Sequence, residues 1–213
     1  MRHGAVDNSD VGVLHAVFAA LPVPQKIIVS NVAGTALAQQ LNALLPHVPH
    51  IVQAQAQQCG VRNAYVQVTQ LGSDRWAALI AAWQMQGEAC LVVNCGTATT
   101  VDALSAQGEF LGGLILPSVD LMQSSLVRNT AQLDASVGAL QDFPCNTADA
   151  IYSGAVQATL GAIRQQAALL RTQKILLSGG AAGNIHAHLG VSCKLVDNLV
   201  LRGLAIIGQE MTA

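Results

Sequence analysis

Charge is the scarcest property of this sequence. Asp, Glu, Lys and Arg supply only 10% of its 213 residues, against about 25% in a typical soluble domain. Hydrophobic residues reach 52%, which excludes a disordered chain, since disorder needs low hydrophobicity and high charge. Aromatics are scarce too, at 3%, so the core is built from Ala, Val, Leu and Ile. A formal net charge of −2 gives no electrostatic reason to bind nucleic acid. Apolar runs such as residues 89–93 and 114–116 are far too short to cross a bilayer. Met1-Arg2-His3-Gly4 is followed by no apolar stretch of the kind that makes a signal peptide. The expectation is a cytoplasmic protein without membrane or nucleic-acid partners.

The five cysteines lack any Cys-x-x-Cys spacing, which argues against a zinc site or disulfide framework and for buried free thiols. The six histidines show no H-x-x-x-H or H-E-x-x-H pattern, and His186 and His188 are two apart, on different faces of any helix. Metal ligation by histidine is not expected.

What is present is an alternation of strand and helix periods. Residues 26–30 form a β-branched run, and 35–45 have helical spacing ended by Pro46. Residues 50–53 read as a strand, 59–69 as loop or edge strand, and 74–86 as a helix. Residues 88–96 are almost continuously apolar, the mark of a strand buried on both faces. Strands at 99–104 and 110–116 flank a turn at Ser105-Ala106-Gln107-Gly108-Glu109. Helices at 118–128 and 148–170, a strand at 174–177, a Gly-rich turn, a short helix, a strand at 193–196 and a helix at 199–210 complete the chain. The second half therefore reads β-β-β-α-β-α-β-α. Two lobes in close contact are expected, residues 1–88 and 89–213, with a helical return from the end.

Three segments could carry chemistry. In the first, a buried strand enters Asn94-Cys95-Gly96-Thr97-Ala98-Thr99-Thr100-Val101-Asp102. Gly96 lets a ligand approach the backbone, and the hydroxyls and N–H groups suit phosphate oxygens; an ordinary hairpin is the alternative. In the second, Gly72-Ser73-Asp74-Arg75-Trp76 opens a helix. Asp74 is either a helix cap or a base that takes a proton from an attacking alcohol, and Arg75 can grip a carboxylate. The third, Ser178-Gly179-Gly180-Ala181-Ala182-Gly183, is a helix-entry turn or the floor of a nucleobase site. It matches neither a dinucleotide fingerprint nor a P-loop.

Together with Ser30-Asn31-Val32-Ala33-Gly34, Gly112-Gly113-Leu114-Ile115-Leu116-Pro117, Asn129-Thr130-Ala131-Gln132-Leu133, Asn146-Thr147 and Ala150-Ile151-Tyr152-Ser153-Gly154, these segments resemble type III pantothenate kinase, in colinear order from about residue 26 to the end. The resemblance implies a two-lobed, ribonuclease-H-like α/β fold of the actin-like ATPase superfamily, working as a homodimer. It implies ATP-dependent phosphorylation of pantothenate with Mg2+ and a monovalent cation, potassium or ammonium. By resemblance Asp74 is the proton acceptor. Tyr65, Gly72, Ser73, Asp74, Arg75 and Thr147 contact pantothenate, with Thr147 near the dimer interface, and Thr97 contacts the ATP phosphates. The sequence departs from the family twice. Asn94 stands where the family has the aspartate that helps bind the monovalent cation. The family's first phosphate loop, Asp-x-Gly-Asn-Thr, has no match: Asp7-Asn8 lacks a preceding strand and a following Gly-Thr. The expectation is a first lobe incomplete at its N-terminus and impaired in positioning ATP. A non-catalytic accessory protein of the same fold, of the kind linked to transcription, is the alternative reading.

Overall fold

The computed structural model describes residues 4–7, 10–129 and 137–211. Its centre is the apolar strand expected around residue 91. This strand, β5 (Cys90–Cys95), is buried along nearly its whole length because helices cover both its faces. It pairs antiparallel with β6 (Ala98–Leu104), which pairs antiparallel with β7 (Glu109–Pro117). On its other side it pairs parallel with β8 (Ile175–Ser178), and β8 with β9 (Lys194–Leu195). The hairpin β3 (Gln57–Gln58) and β4 (Val61–Asn63) extends the sheet past β7, giving the order β3-β4-β7-β6-β5-β8-β9. The antiparallel trio followed by two parallel strands is the strand sequence expected, but two helices rather than one stand between β7 and β8, so the observed order is β-β-β-α-α-β-α-β-α. A separate parallel pair joins β1 (Ile28–Val29) and β2 (His50–Ile51) around α2 (Thr35–Leu44).

Alternation along β5 sends side chains to two cores. Cys90 and Val92 pack with α3 (Ser73–Gln86) and α7 (Leu199–Glu210). Leu91, Val93 and Cys95 pack with α5 (Thr147–Leu170) and α6 (Ala182–His188). α4 (Val119–Asn129) lies against α5. The expected helical return is α7, which runs back onto α3. The two helices meet at backbone distance because small residues face each other. A side chain at Gly203 would lie 1.8 Å from the Ala77 carbonyl oxygen, and Ala77, Ala78, Ala81 and Ala82 are buried on α3.

Several local expectations need amendment. α1 (Val13–Ala19) was not expected: it has no side-chain cap, no charge in its end turns and no buried residue, so its short apolar segment carries no helical signature. Residues 59–69 hold the β3–β4 turn, strand β4 and a 3-10 turn at Val68–Gln70. Of the thiols, Cys90 and Cys95 are buried, Cys59 and Cys193 partly so, and Cys145 is exposed. Burial pushes the Cys90 thiol up to about 12 and the Cys95 thiol up to about 11, so both stay protonated and inert. Residues Thr130 to Leu133 of the Asn129–Leu133 segment lie outside the described residues, as do Met1 to His3 and Asn8.

The α3–α7 contact gives the first prediction. Gly203→Ala forces the two helices apart, and overpacking of this kind costs about 1–3 kcal/mol. Urea unfolding should show that loss, whereas Gly154→Ala, on the open side of α5, should leave stability equal or higher.

Candidate active site

The Gly72–Arg75 segment begins α3, and the helix cap is Gly72, so Asp74 is not the cap. Asp74 makes no hydrogen bond or ion pair among the described residues; Gly72 leaves room for its carboxylate, since a Cβ there would lie 2.6 Å from Asp74 Oδ1. The Ser73 hydroxyl is 2.7 Å from that of Ser30. That contact ties the start of α3 to the loop after β1.

Arg75 turns inward. Its Nε–H donates to both carboxylate oxygens of Asp102 at 3.2 Å, and Nη2 donates to Oδ1 at 2.5 Å. Nη1 donates to the Tyr65 hydroxyl at 3.0 Å. The guanidinium carbon lies 5.7 Å from the centroid of the Tyr65 ring and 5.6 Å from that of Phe110, within cation–π range. Side-chain exposure is 5% for Arg75 and 1% for Asp102, so this ion pair is taken almost wholly out of water. Burial pushes the Asp102 carboxyl above its ordinary value, against the pull of Arg75 and the Thr100 hydroxyl, while the charge of Asp74 adds to the push. Burial acts to lower Arg75, but its bonds to Asp102 and Tyr65 outweigh it and hold the guanidinium above its ordinary value.

The glycines of the Gly112-Gly113 motif build this pocket. Gly112 takes φ +130 at the irregularity where β6 and β7 change register beside Ala103 and Leu104. Gly113 faces Asp102 directly across the strands. A Cβ there would collide with the Asp102 carboxylate and the Val101 carbonyl and stand 3.0 Å from Arg75 Nη2. Asn63, at the end of β4, accepts the Tyr65 backbone N–H at 3.0 Å and donates to the Val68 carbonyl at 3.2 Å. It thereby fixes the loop that carries Tyr65.

A second candidate region lies at the ends of β5 and β8. Asn94 and Ser178 are register partners, and they line a cleft of about 660 Å³ with Gly179, Gly180, Gly183 and the start of α7. Gly179 is demanded by the fold: its φ is +98 and a Cβ would strike the Cys95 backbone. A Cβ at Gly180 or Gly183 would meet nothing within 4 Å, so the fold does not require glycine at either, and both border the open cleft. Thr97 is exposed in the β5–β6 turn. Gly96 beside it would place a Cβ only in ordinary contact, 3.7 Å from the Ala98 carbonyl, so the fold does not require glycine there either. Thr147 is exposed in the first turn of α5, behind its cap Asn146, and makes no hydrogen bond to the Tyr65–Arg75 group.

The structure thus brings Tyr65, Gly72, Ser73, Asp74 and Arg75 together and puts Asn94 beside the Ser178–Gly180 turn. The residue that sequence reasoning passed over is Asp102. It closes the Gly-Thr-Ala-Thr-Thr-Val-Asp segment, and a lone acid at an inward position of a buried strand was the available signal. Among the described residues no three His, Cys, Asp or Glu side chains gather as metal ligands.

Removing one partner of a buried pair strands the other charge, at a cost of about 3–5 kcal/mol. Arg75→Met should lose stability on that scale in urea unfolding, and Arg75→Met with Asp102→Leu should recover most of it. Equal stability of the single and double variants would contradict an ion pair here.

Comparison with known proteins places this arrangement. A model of the type III pantothenate kinase family matches residues 6–169. A type III pantothenate kinase from Nitrosospira multiformis is 46% identical over 99% of this chain and 83% of its own length. One from Aromatoleum aromaticum is 47% identical over 100% of this chain and 90% of its own. Among solved structures, a conserved Baf-family protein from Campylobacter jejuni superposes with a TM-score of 0.64 at 23% identity, covering 93% of this chain and 89% of that one. A Sinorhizobium meliloti protein described as a 2-dehydro-3-deoxygalactonokinase gives 0.56 at 16% identity, covering 94% and 85%. These likenesses show the fold alone, a mixed α/β fold. With 164 consecutive residues under the family model and relatives this similar along their length, the chain belongs to the type III pantothenate kinase family.

Proposed function

We propose that this chain transfers the γ-phosphoryl group of ATP to the primary hydroxyl of pantothenate, giving 4′-phosphopantothenate, the first step of coenzyme A synthesis. The observation that carries the reading is the start of α3, where the unpaired carboxylate of Asp74 adjoins the Arg75–Tyr65 donor group. A base for an alcohol must be free of protein partners and within reach of the reacting hydroxyl. Asp74, in the first turn of α3, meets the first condition among the described residues. Arg75 has five N–H groups. Three are engaged, on Asp102 and Tyr65, which leaves one on each terminal nitrogen for a ligand oxygen. Tyr65, Gly72, Ser73 and Thr147 complete the proposed pantothenate contacts.

ATP fits the second region. The open glycine floor of the cleft suits the nucleoside, and the exposed Gly96-Thr97 turn suits its phosphates. Mg2+ would travel with those phosphates and neutralise charge there during transfer. Asn94 presents an amide oxygen where the family's monovalent cation binds, without the negative charge. We place the division of the chain into lobes at residues 1–88 and 89–213, although β3 and β4 hydrogen-bond into the larger sheet. No helix among the described residues is long and apolar enough to cross a membrane, in keeping with the cytoplasmic setting we propose. A homodimer is supported by the open edge of β7: beyond Phe110 its outer side is unpaired, and Leu111, Ile115 and, on α4, Leu121 are exposed. An uncharged apolar edge of this kind calls for a covering partner.

The test is phosphorylation of pantothenate by ATP, run on this chain and on a version with the Asp-x-Gly-Asn-Thr loop supplied in front. Asp74→Asn should lower turnover ~10²- to 10⁴-fold, the range for loss of a general base, and leave pantothenate binding within a few-fold. Turnover unaffected by the substitution, or no binding of pantothenate by either version, would refute the reading. Asn94→Asp restores a charged oxygen ligand for a hard cation; it should sharpen the dependence on potassium in a titration, and identical curves would remove Asn94 from any cation site.

A further inference from the structure

Asp102 is almost fully buried, carries a charge, and has no role in the reaction proposed above. A buried carboxylate is costly unless it is paired, and its pairing here is specific. It takes the Nε–Nη2 edge of Arg75. That fixes the guanidinium plane and aims Nη1 at the Tyr65 hydroxyl, 3.0 Å away. The rings of Tyr65 and Phe110, with centroids 5.2 Å apart, hold the guanidinium from its sides. A phenol oxygen that accepts from a cation has its own O–H left to donate, and Tyr65 is only partly buried, so that O–H can reach an acceptor on a ligand. Asp102 is supported in turn. Thr100 lies on the same face of β6 two residues earlier, and its hydroxyl favours the carboxylate. Gly113 leaves space that a side chain would take from the pair.

From this chain of contacts we infer that Asp102 is a positioning residue for the substrate site, acting through Arg75 to hold the Tyr65 hydroxyl as an outward-facing hydrogen-bond donor to pantothenate. The inference rests on the reading of Tyr65 and Arg75 as pantothenate contacts. It makes a claim that reading does not contain. The Asp102–Arg75 pair, neutral overall, fixes the Tyr65 hydroxyl by geometry, in addition to the N–H groups that Arg75 itself offers the ligand. In Asp102→Asn one carboxylate oxygen becomes an amide whose N–H faces another N–H. The fork is lost and Tyr65 loses its fixed partner, yet the net positive charge of the pocket rises by one. Positioning and bare charge therefore predict opposite results.

The experiment is calorimetric titration of pantothenate into the wild-type chain, Asp102→Asn, Tyr65→Phe and the double variant, with thermal unfolding of each as a control for folding. Asp102→Asn and Tyr65→Phe should each weaken binding ~10-fold, the scale of one charge-assisted hydrogen bond. The double variant should be no weaker than the worse single one. Unchanged or tighter binding by Asp102→Asn, or losses that multiply in the double variant, would overturn the inference. If Asp102→Asn fails to fold, Thr100→Val takes its place: it should weaken binding ~3-fold alone and not at all in the Tyr65→Phe background, and equal effects in both backgrounds would count against the relay. A ligand-free measurement separates this inference from the reading beneath it. The 15N-labelled Arg75 Nε–H should give a slowly exchanging resonance in the wild-type chain that is lost in Asp102→Asn. If that resonance is present but pantothenate does not bind, the pantothenate reading has failed. If pantothenate binds but the resonance exchanges freely, the positioning role has failed.

Discussion

The ion pair between Arg75 and Asp102 is the constraint around which the candidate site is arranged. Two opposite charges withdrawn this far from water are stable only if geometry and hydrogen bonds compensate for lost hydration. Every neighbouring choice serves that need. Arg75 leaves the first turn of α3 pointing into the sheet. Asp102 faces it from β6, Gly113 gives up a side chain on β7, and Phe110 and Tyr65 enclose the guanidinium with their rings. Two strands, one helix and the loop after β4 are thereby held in one relative position by a few side chains.

A chain so poor in charge gives this pair unusual weight. Elsewhere the interior is assembled from small and branched aliphatic residues, and helix–sheet contact is close because α3 is rich in alanine where it meets α7 and β5. Such packing is dense, but the apolar attraction behind it is not directional. A charged pair has directional bonds, and it sets the position of α3 along the sheet. Asp74, one residue before Arg75, inherits that position while remaining free of partners. One turn of helix thus carries both an inward residue that fixes the frame and, beside it, a carboxylate left outside that frame.

The two candidate regions differ in how they are built. The region around Arg75 depends on long side chains locked by hydrogen bonds. The cleft at Asn94 depends on absent side chains, Gly180 and Gly183, where nothing in the fold would resist a larger residue. A glycine required by the backbone, Gly179, and one the fold does not require, Gly180, sit next to each other in one turn.

Element order was legible from periodicity, because the buried strand β5 has a continuous apolar signature and its neighbours alternate as half-covered strands do. The family motifs were legible because their glycines, threonines and charged residues stand out in a chain with few charges. α1 was not legible, since a short helix that buries nothing and has no cap leaves no periodic trace. The sequence by itself determined which segments become strands and helices, and which residues are chemically able to act. Only the tertiary structure decided their partners: that Arg75 spends one edge on Asp102, 27 positions away, that Asn94 adjoins Ser178, and that Gly203 must be glycine because α7 returns onto Ala77. Those pairings follow from strand register and helix docking, which depend on contacts between distant segments and leave no mark in local composition.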